Sequence, residues 1–309
     1  MDEVELTKEY IDGKLREMHR TMTELFQFDF PYFKDVKVLG KSEAREYLTE
    51  RGWINTEKGA SYNAFQWAHI QKYLSGNDAG DFFENMAFYD KKGDTLCISR
   101  NLLLNQPEMV IPVCVHELAE KLVSTLSPSW TIKGPEENSL AEYINRKGPE
   151  GAISLEEFLS SYKEAVFKCV FKEGLCEAIS LKTLSASGLK GRADSIEKEL
   201  QHGHKKWVDI LIDLENLEKG VKNQNIFVHP KKDEKERLRD VEGLVIHILR
   251  GFQMIKSISY HLGYPIAKEI LDEHGIEGIK AALKNPPLRA EYFVHPPKYI
   301  SLLKIQKRR

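Results

Sequence analysis

The chain has 309 residues, 41% hydrophobic and 30% charged, which is enough apolar material for a sizeable core and too much for a disordered segment. Lys plus Arg number 45 against 47 Asp plus Glu, so the formal charge of -2 supplies no bulk drive towards nucleic acid or an anionic membrane. The acidic start MDEVELTKEY has no signal-like apolar stretch and no run approaches a membrane span, while Cys97, Cys114, Cys169 and Cys176 lack metal-clip or redox spacing. Buried free thiols in a reducing cytoplasm are the expectation.

Residues 3–28 place Val4, Leu6, Ile11, Leu15, Met18, Met22 and Leu25 at helical spacing, and the Pro of FPYF is expected to stop that helix. VKVL at 36–39 reads as a strand. SEAREYLTERG then reads as a helix with Ser42 as N-cap and Gly52 as its stop. The aromatic run FQWAHIQKY at 65–73 has no basic stripe beside it and reads as core. In MAFYDKKGDTLCIS, two β-rich runs flank KKGD, a hairpin turn. Helical spacing dominates from there on, near 108–127, 138–146, 154–186, 205–218, 234–258 and 264–284. The order predicts an α+β protein: a small mixed sheet with a β-hairpin, then a mostly helical region. Residues 1–85 form the N-terminal part and residues 86–309 the remainder.

The helix MVIPVCVHELAEKLVSTL is apolar around most of its circumference, yet it carries His116, Glu117 and Glu120. His116 and Glu120 lie one turn apart on one face, a spacing that lets two side chains grip one ion. Glu117 is then placed to act as general base on a metal-bound water. The plainer reading is a chance run in an ordinary helix. Burying these charges without a partner is costly, which favours a cation or other compensating group.

A second apolar helix repeats the anomaly. AVFKCVFKEGLCEAISL holds Glu173 and Glu177 at i, i+4, with Gly174 at a cost of roughly 1 kcal/mol against Ala. A small residue there admits another backbone or a ligand. Alternatively, the two Glu share a solvated stripe with Lys168 and Lys172.

HELAE followed by EGLCE resembles the gluzincin metallopeptidases, with Glu120 standing where that family has its second His. The resemblance covers roughly residues 86–287 and rests on three short motifs, the third being Tyr260-His-Leu-Gly263. It implies a zincin-like region with Glu173 as third metal ligand beside His116 and Glu120. It implies Tyr260 as oxyanion donor, with Tyr264 as second choice. The hairpin FYDKKGDTLCIS resembles the edge strand against which such enzymes lay an extended substrate, and run 95–99 is expected to border the cleft. The implied function is a cytoplasmic, zinc-dependent hydrolase acting on peptides or proteins, without nucleic-acid or membrane partners. Its alternative is an inactive pseudopeptidase that keeps a peptide- or partner-binding cleft.

A ligand set of one His and two carboxylates is possible for zinc, but it cancels the charge of the ion. Such a site acidifies water less and suits a harder ion such as manganese. Without a metal, a Lys or Arg would have to neutralise the carboxylates. His202 and His204, at i, i+2, read as a surface loop. His229 and His295 precede Pro and read as turns, and His261 and His274 are candidates for lining the site.

Overall fold

The computed structural model describes residues 7–51, 87–128, 155–223 and 258–303. The expected helix at 138–146, most of that at 234–258, the run 65–73 and His229 lie outside the described residues.

Helix α1 (Lys8–Phe26) starts at Thr7, whose hydroxyl accepts the Tyr10 N–H at 3.2 Å. It buries Ile11, Leu15, Met18, Met22 and Phe26, as its periodicity requires. It ends before Pro31 is reached, because Gln27 turns into the left-handed region at φ 48°.

Strand β1 (Asp35–Leu39) leads into α2 (Lys41–Glu50). The N-cap of α2 is Gly40 rather than Ser42, and the Gly40 N–H donates to Glu43 Oε2 at 2.7 Å. Strands β2 (Ala87–Asp90) and β3 (Thr95–Ser99) form the hairpin. The sheet order is β1-β3-β2, with β1 parallel and β2 antiparallel to β3. The expectation for run 95–99 is therefore corrected. β3 is the buried central strand, and among the described residues β1 and β2 are the outer strands, of which β2 borders the cleft. The sequence signal for this was present: TLCIS is apolar without alternation, as a strand covered on both faces should be.

The hairpin turn is fastened from behind. After β3 come α3 (Arg100–Asn105) and the long α4 (Pro107–Leu126). Lys121 of α4, only 3% exposed, donates to Tyr32 O at 2.8 Å and to the Asp94 carboxylate. Asp94 has φ 51° and also accepts the Tyr89 hydroxyl at 3.0 Å. The Lys121 ammonium lies over the Phe33 and Tyr89 rings at 5.3 and 5.6 Å. Lys121→Met strands Asp94 and the Tyr32 carbonyl, so a loss of about 1–3 kcal/mol is expected in chemical denaturation. A loss below about 0.5 kcal/mol would mean that water replaces the lysine at no cost.

The helical part comprises α5 (Leu155–Ala186), α6 (Lys190–Trp207), α7 (Asp209–Asn223) and α8 (Ser259–Lys284), then the short α9 (Ala290–Val294) and α10 (Pro296–Ile300). The single helix expected at 205–218 straddles the junction of α6 and α7. α8 begins five residues earlier than expected, at Ser259, and breaks at Gly275 with φ 58°. β1 pairs with β3, and Ile11, Leu15 and Met22 belong to the same buried cluster as Leu118, Phe171 and Ile266. The described part is thus α+β, mostly helical with a three-stranded mixed sheet. No described helix is long and apolar enough to cross a membrane.

One crossing sets the geometry of everything that follows. A Cβ on Gly174 of α5 would lie 2.1 Å from the Gly263 backbone carbon, and one on Gly263 of α8 would lie 1.9 Å from Val170 O. The two helices therefore touch backbone to backbone, which only glycine permits.

Candidate functional site

A cleft of about 680 Å³ opens where α4, α5, α6, α8 and the β2 edge meet. α4 contributes His116, Glu117 and Glu120, and α5 contributes Glu173 and Glu177. β2 supplies Ala87, Phe88 and Tyr89. The start of α8 adds Ser259, Tyr260 and His261, and an apolar wall of Met109, Pro112, Val113 and Leu181 completes one side.

His116 is gripped at both ring nitrogens. Its Nε2 lies 3.3 Å from Glu173 Oε2, and its Nδ1 lies 2.9 Å from Glu177 Oε1. The Nδ1 contact is an ion pair that lacks the alignment of a hydrogen bond. Burial alone would lower the imidazole pKa, but Glu177 and Glu173 outweigh it and hold the ring protonated well above its usual range.

Glu117 faces the other way. Its Oε2 accepts the backbone N–H of Tyr89 at 2.8 Å, tying the carboxylate to β2. Burial pushes its pKa up to about 8, with Glu120 adding to the rise and His116 opposing it.

Glu120 carries the charge question posed by the sequence. Its carboxylate pairs with Lys172 of α5, and Lys91 stands 3.6 Å away. Lys172 also lies 4.0 Å from Glu173. Burial works against the ammonium, but Glu120 and Glu173 reverse this and keep its pKa above the ordinary lysine range. Lys172 is 16% exposed and is not among the residues lining the cleft, although both carboxylates it approaches are.

Glu173 and Glu177 therefore face the cleft rather than a solvated stripe. Tyr260 lines it in the first turn of α8 and is 37% exposed. Burial of its hydroxyl and the nearby Glu177 raise its pKa. Tyr264, the second-choice oxyanion donor, is corrected: it is buried in the core, outside the cleft lining, with burial and then Glu197 raising its pKa. It lies one turn further into α8 than Tyr260, where the helix is packed into the core. His261 lines the cleft, whereas His274 does not. His202 and His204 sit in the last turns of α6, not in a loop. The His261 ring packs where a Gly203 side chain would stand, and Nδ1 of both His204 and His261 is buried without a hydrogen-bond partner.

Two groups central to this arrangement carried little sequence signal. Glu177 was marked by its i+4 relation to Glu173 in an apolar helix. Lys172 was marked by nothing, since a lysine beside Lys168 reads as surface.

The fit to a metal ion rests on His116 and Glu173. Two donors bound to one tetrahedral ion at 2.0–2.1 Å stand about 3.3 Å apart, and Nε2 and Oε2 are 3.3 Å apart. The second nitrogen faces a carboxylate, as in metal-bound imidazoles generally. Glu120 lines the same cleft but is turned to Lys172. Among the described residues, no group of three or more His, Cys, Asp or Glu side chains is placed so that it could hold a metal ion.

Comparison with known proteins found no matching family model, no similar curated protein and no similar solved structure.

Proposed function

We propose that the cleft is the centre of a metal-dependent peptide hydrolase of the gluzincin kind. The observation that carries this reading is the double grip on His116, with Glu173 at ligand spacing on one nitrogen and Glu177 behind the other. His116, Glu173 and Glu120 would hold the ion, zinc or a harder one such as manganese. When bound, that ion supplies Lewis acidity and acidifies water.

The remaining work falls to the chain itself. Glu117, buried beside these donors, takes a proton from the attacking water and returns it to the leaving amine. A pKa near 8 makes it an effective base around neutral pH once a nearby cation draws the proton off. Tyr260 donates its phenolic O–H to the developing oxyanion. An extended peptide is received along β2, where alternate residues of an antiparallel edge turn their N–H and C=O outwards. The apolar wall excludes water from one side of the scissile bond. Such a wall suits a peptide and offers a nucleic acid no basic surface.

The reading is tested by titrating zinc and manganese into the metal-free protein and into His116→Ala and Glu173→Gln. One ion per chain is expected, weakened about 100-fold or more by either change, and about 10–100-fold by Glu177→Gln. Binding indifferent to His116 would remove the site from this cleft.

The pairing of Glu120 with Lys172 favours one other reading, an inactive pseudopeptidase whose charges are balanced internally. In that case a generic extended peptide binds along β2, while no ion is taken up and nothing is cleaved.

A further inference from the structure

We infer that Lys172 is a positioning residue for the metal-binding carboxylates, an assignment that rests on the function proposed above. Three facts point to it. Its ammonium touches Glu120 of α4 and stands 4.0 Å from Glu173 of α5, so one cation spans the two helices that supply the donors. It is only 16% exposed and is not among the residues that line the cleft. Lys91, by contrast, stands 3.6 Å from Glu120 and is 53% exposed.

The charge count gives the arrangement its purpose. One imidazole and two carboxylates cancel a divalent ion, and a neutral centre polarises a carbonyl weakly. Lys172 returns one positive charge to the loaded centre from a place where it occupies no coordination position. In the metal-free protein the same ammonium keeps Glu120 and Glu173 from repelling each other out of line. Glu120 and Lys172 thus behave as a single unit with no net charge.

A lysine that merely competed for the place of the ion would act with the opposite sign, and this decides the test. Zinc affinity is measured by chelator competition, and thermal stability without metal, for the natural protein, Lys172→Met, Lys172→Arg, Glu120→Gln and the double variant Glu120→Gln/Lys172→Met. Lys172→Met is expected to weaken zinc about tenfold, even though it removes a like charge, and Lys172→Arg to recover most of that loss. Without metal, Lys172→Met is expected to lower the melting temperature by about 5–10 °C. Without metal, the double variant is expected to be no less stable than Lys172→Met alone.

Tighter or unchanged zinc binding in Lys172→Met overturns the assignment, because Lys172 is then a competitor or a bystander. If the natural protein binds no zinc, the metal reading falls separately. The metal-free melting temperatures then decide whether Lys172 sets the carboxylates: coupled losses uphold that role, and additive losses overturn it.

Discussion

Gly263→Ala is expected to destabilise the protein by roughly 3 kcal/mol or more. The added methyl would fall 1.9 Å from Val170 O and 2.9 Å from its carbonyl carbon. These are backbone atoms of a neighbouring helix, so no rotamer change relieves the clash and α5 and α8 must part. Gly174→Ala meets the same contact from the other side, at 2.1 Å from the Gly263 carbon. Tyr260 is one turn before Gly263, and Glu173 adjoins Gly174, so the separation also pulls the phenol away from the acidic helix. A melting temperature lower by about 6–12 °C should accompany weaker zinc binding, and the two losses should combine less than additively because they disrupt one contact. A fully stable Gly263→Ala variant would show that the helices do not cross this closely.

Glu117→Gln is expected to divide stability from activity. The buried Glu117 carboxyl has a pKa near 8, whereas an unfolded chain has an ordinary glutamate pKa near 4.3. Between these values the folded state holds a proton that the unfolded state has released, so stability falls as pH rises through this window. His116 acts in the same direction. Its folded pKa lies above the usual value, so the stability it contributes is complete below about pH 6.5 and is lost as pH rises through the folded pKa. The metal-free protein should therefore be most stable in mild acid. Glu117→Gln removes one of the two slopes and retains an acceptor for the Tyr89 N–H. A gain on the order of 3 kcal/mol is expected at pH 9 relative to the natural protein, with little change at pH 4. Peptide hydrolysis of the proposed kind should fall about 100- to 10,000-fold. Denaturation curves across pH and a peptide cleavage assay measure the two effects. Equal stability of both forms at pH 9 would place Glu117 in a more open setting than the cleft provides.

The sequence was most legible where period and burial agreed. α1, α4 and α5 repeat apolar residues at helical spacing and occur where the pattern places them, with ends shifted by a few residues. His116, Glu117, Glu120 and Glu173 were readable because charges inside apolar helices are expensive, and all four line the cleft. Periodicity failed at 205–218 because α6 has a charged exterior, KGRADSIEKELQHGHKKW, with few apolar positions to mark it. The hairpin arm that borders the cleft was misread, because a hairpin does not reveal which of its arms meets β1. Tyr260 and Tyr264 could not be separated by motif alone, since one turn of α8 decides which phenol faces the cleft. Gly174 stood out in sequence, but its partner at Gly263 is a tertiary contact with no local signature.

The tie between Glu117 and β2 also bears on how the molecule avoids its own copies. The open edge of a sheet is a template for strand addition, and proteins that leave one uncovered risk aggregation. Among the described residues β2 is an outer strand of the sheet, and the outward N–H of Tyr89 is already taken by the Glu117 carboxylate. A stray strand would have to displace a buried carboxylate to pair in register, and would then face Glu120, Glu173 and Glu177 in the same cleft. The carboxylate assigned to proton transfer in the proposed chemistry thereby also occupies a donor that a stray strand would need.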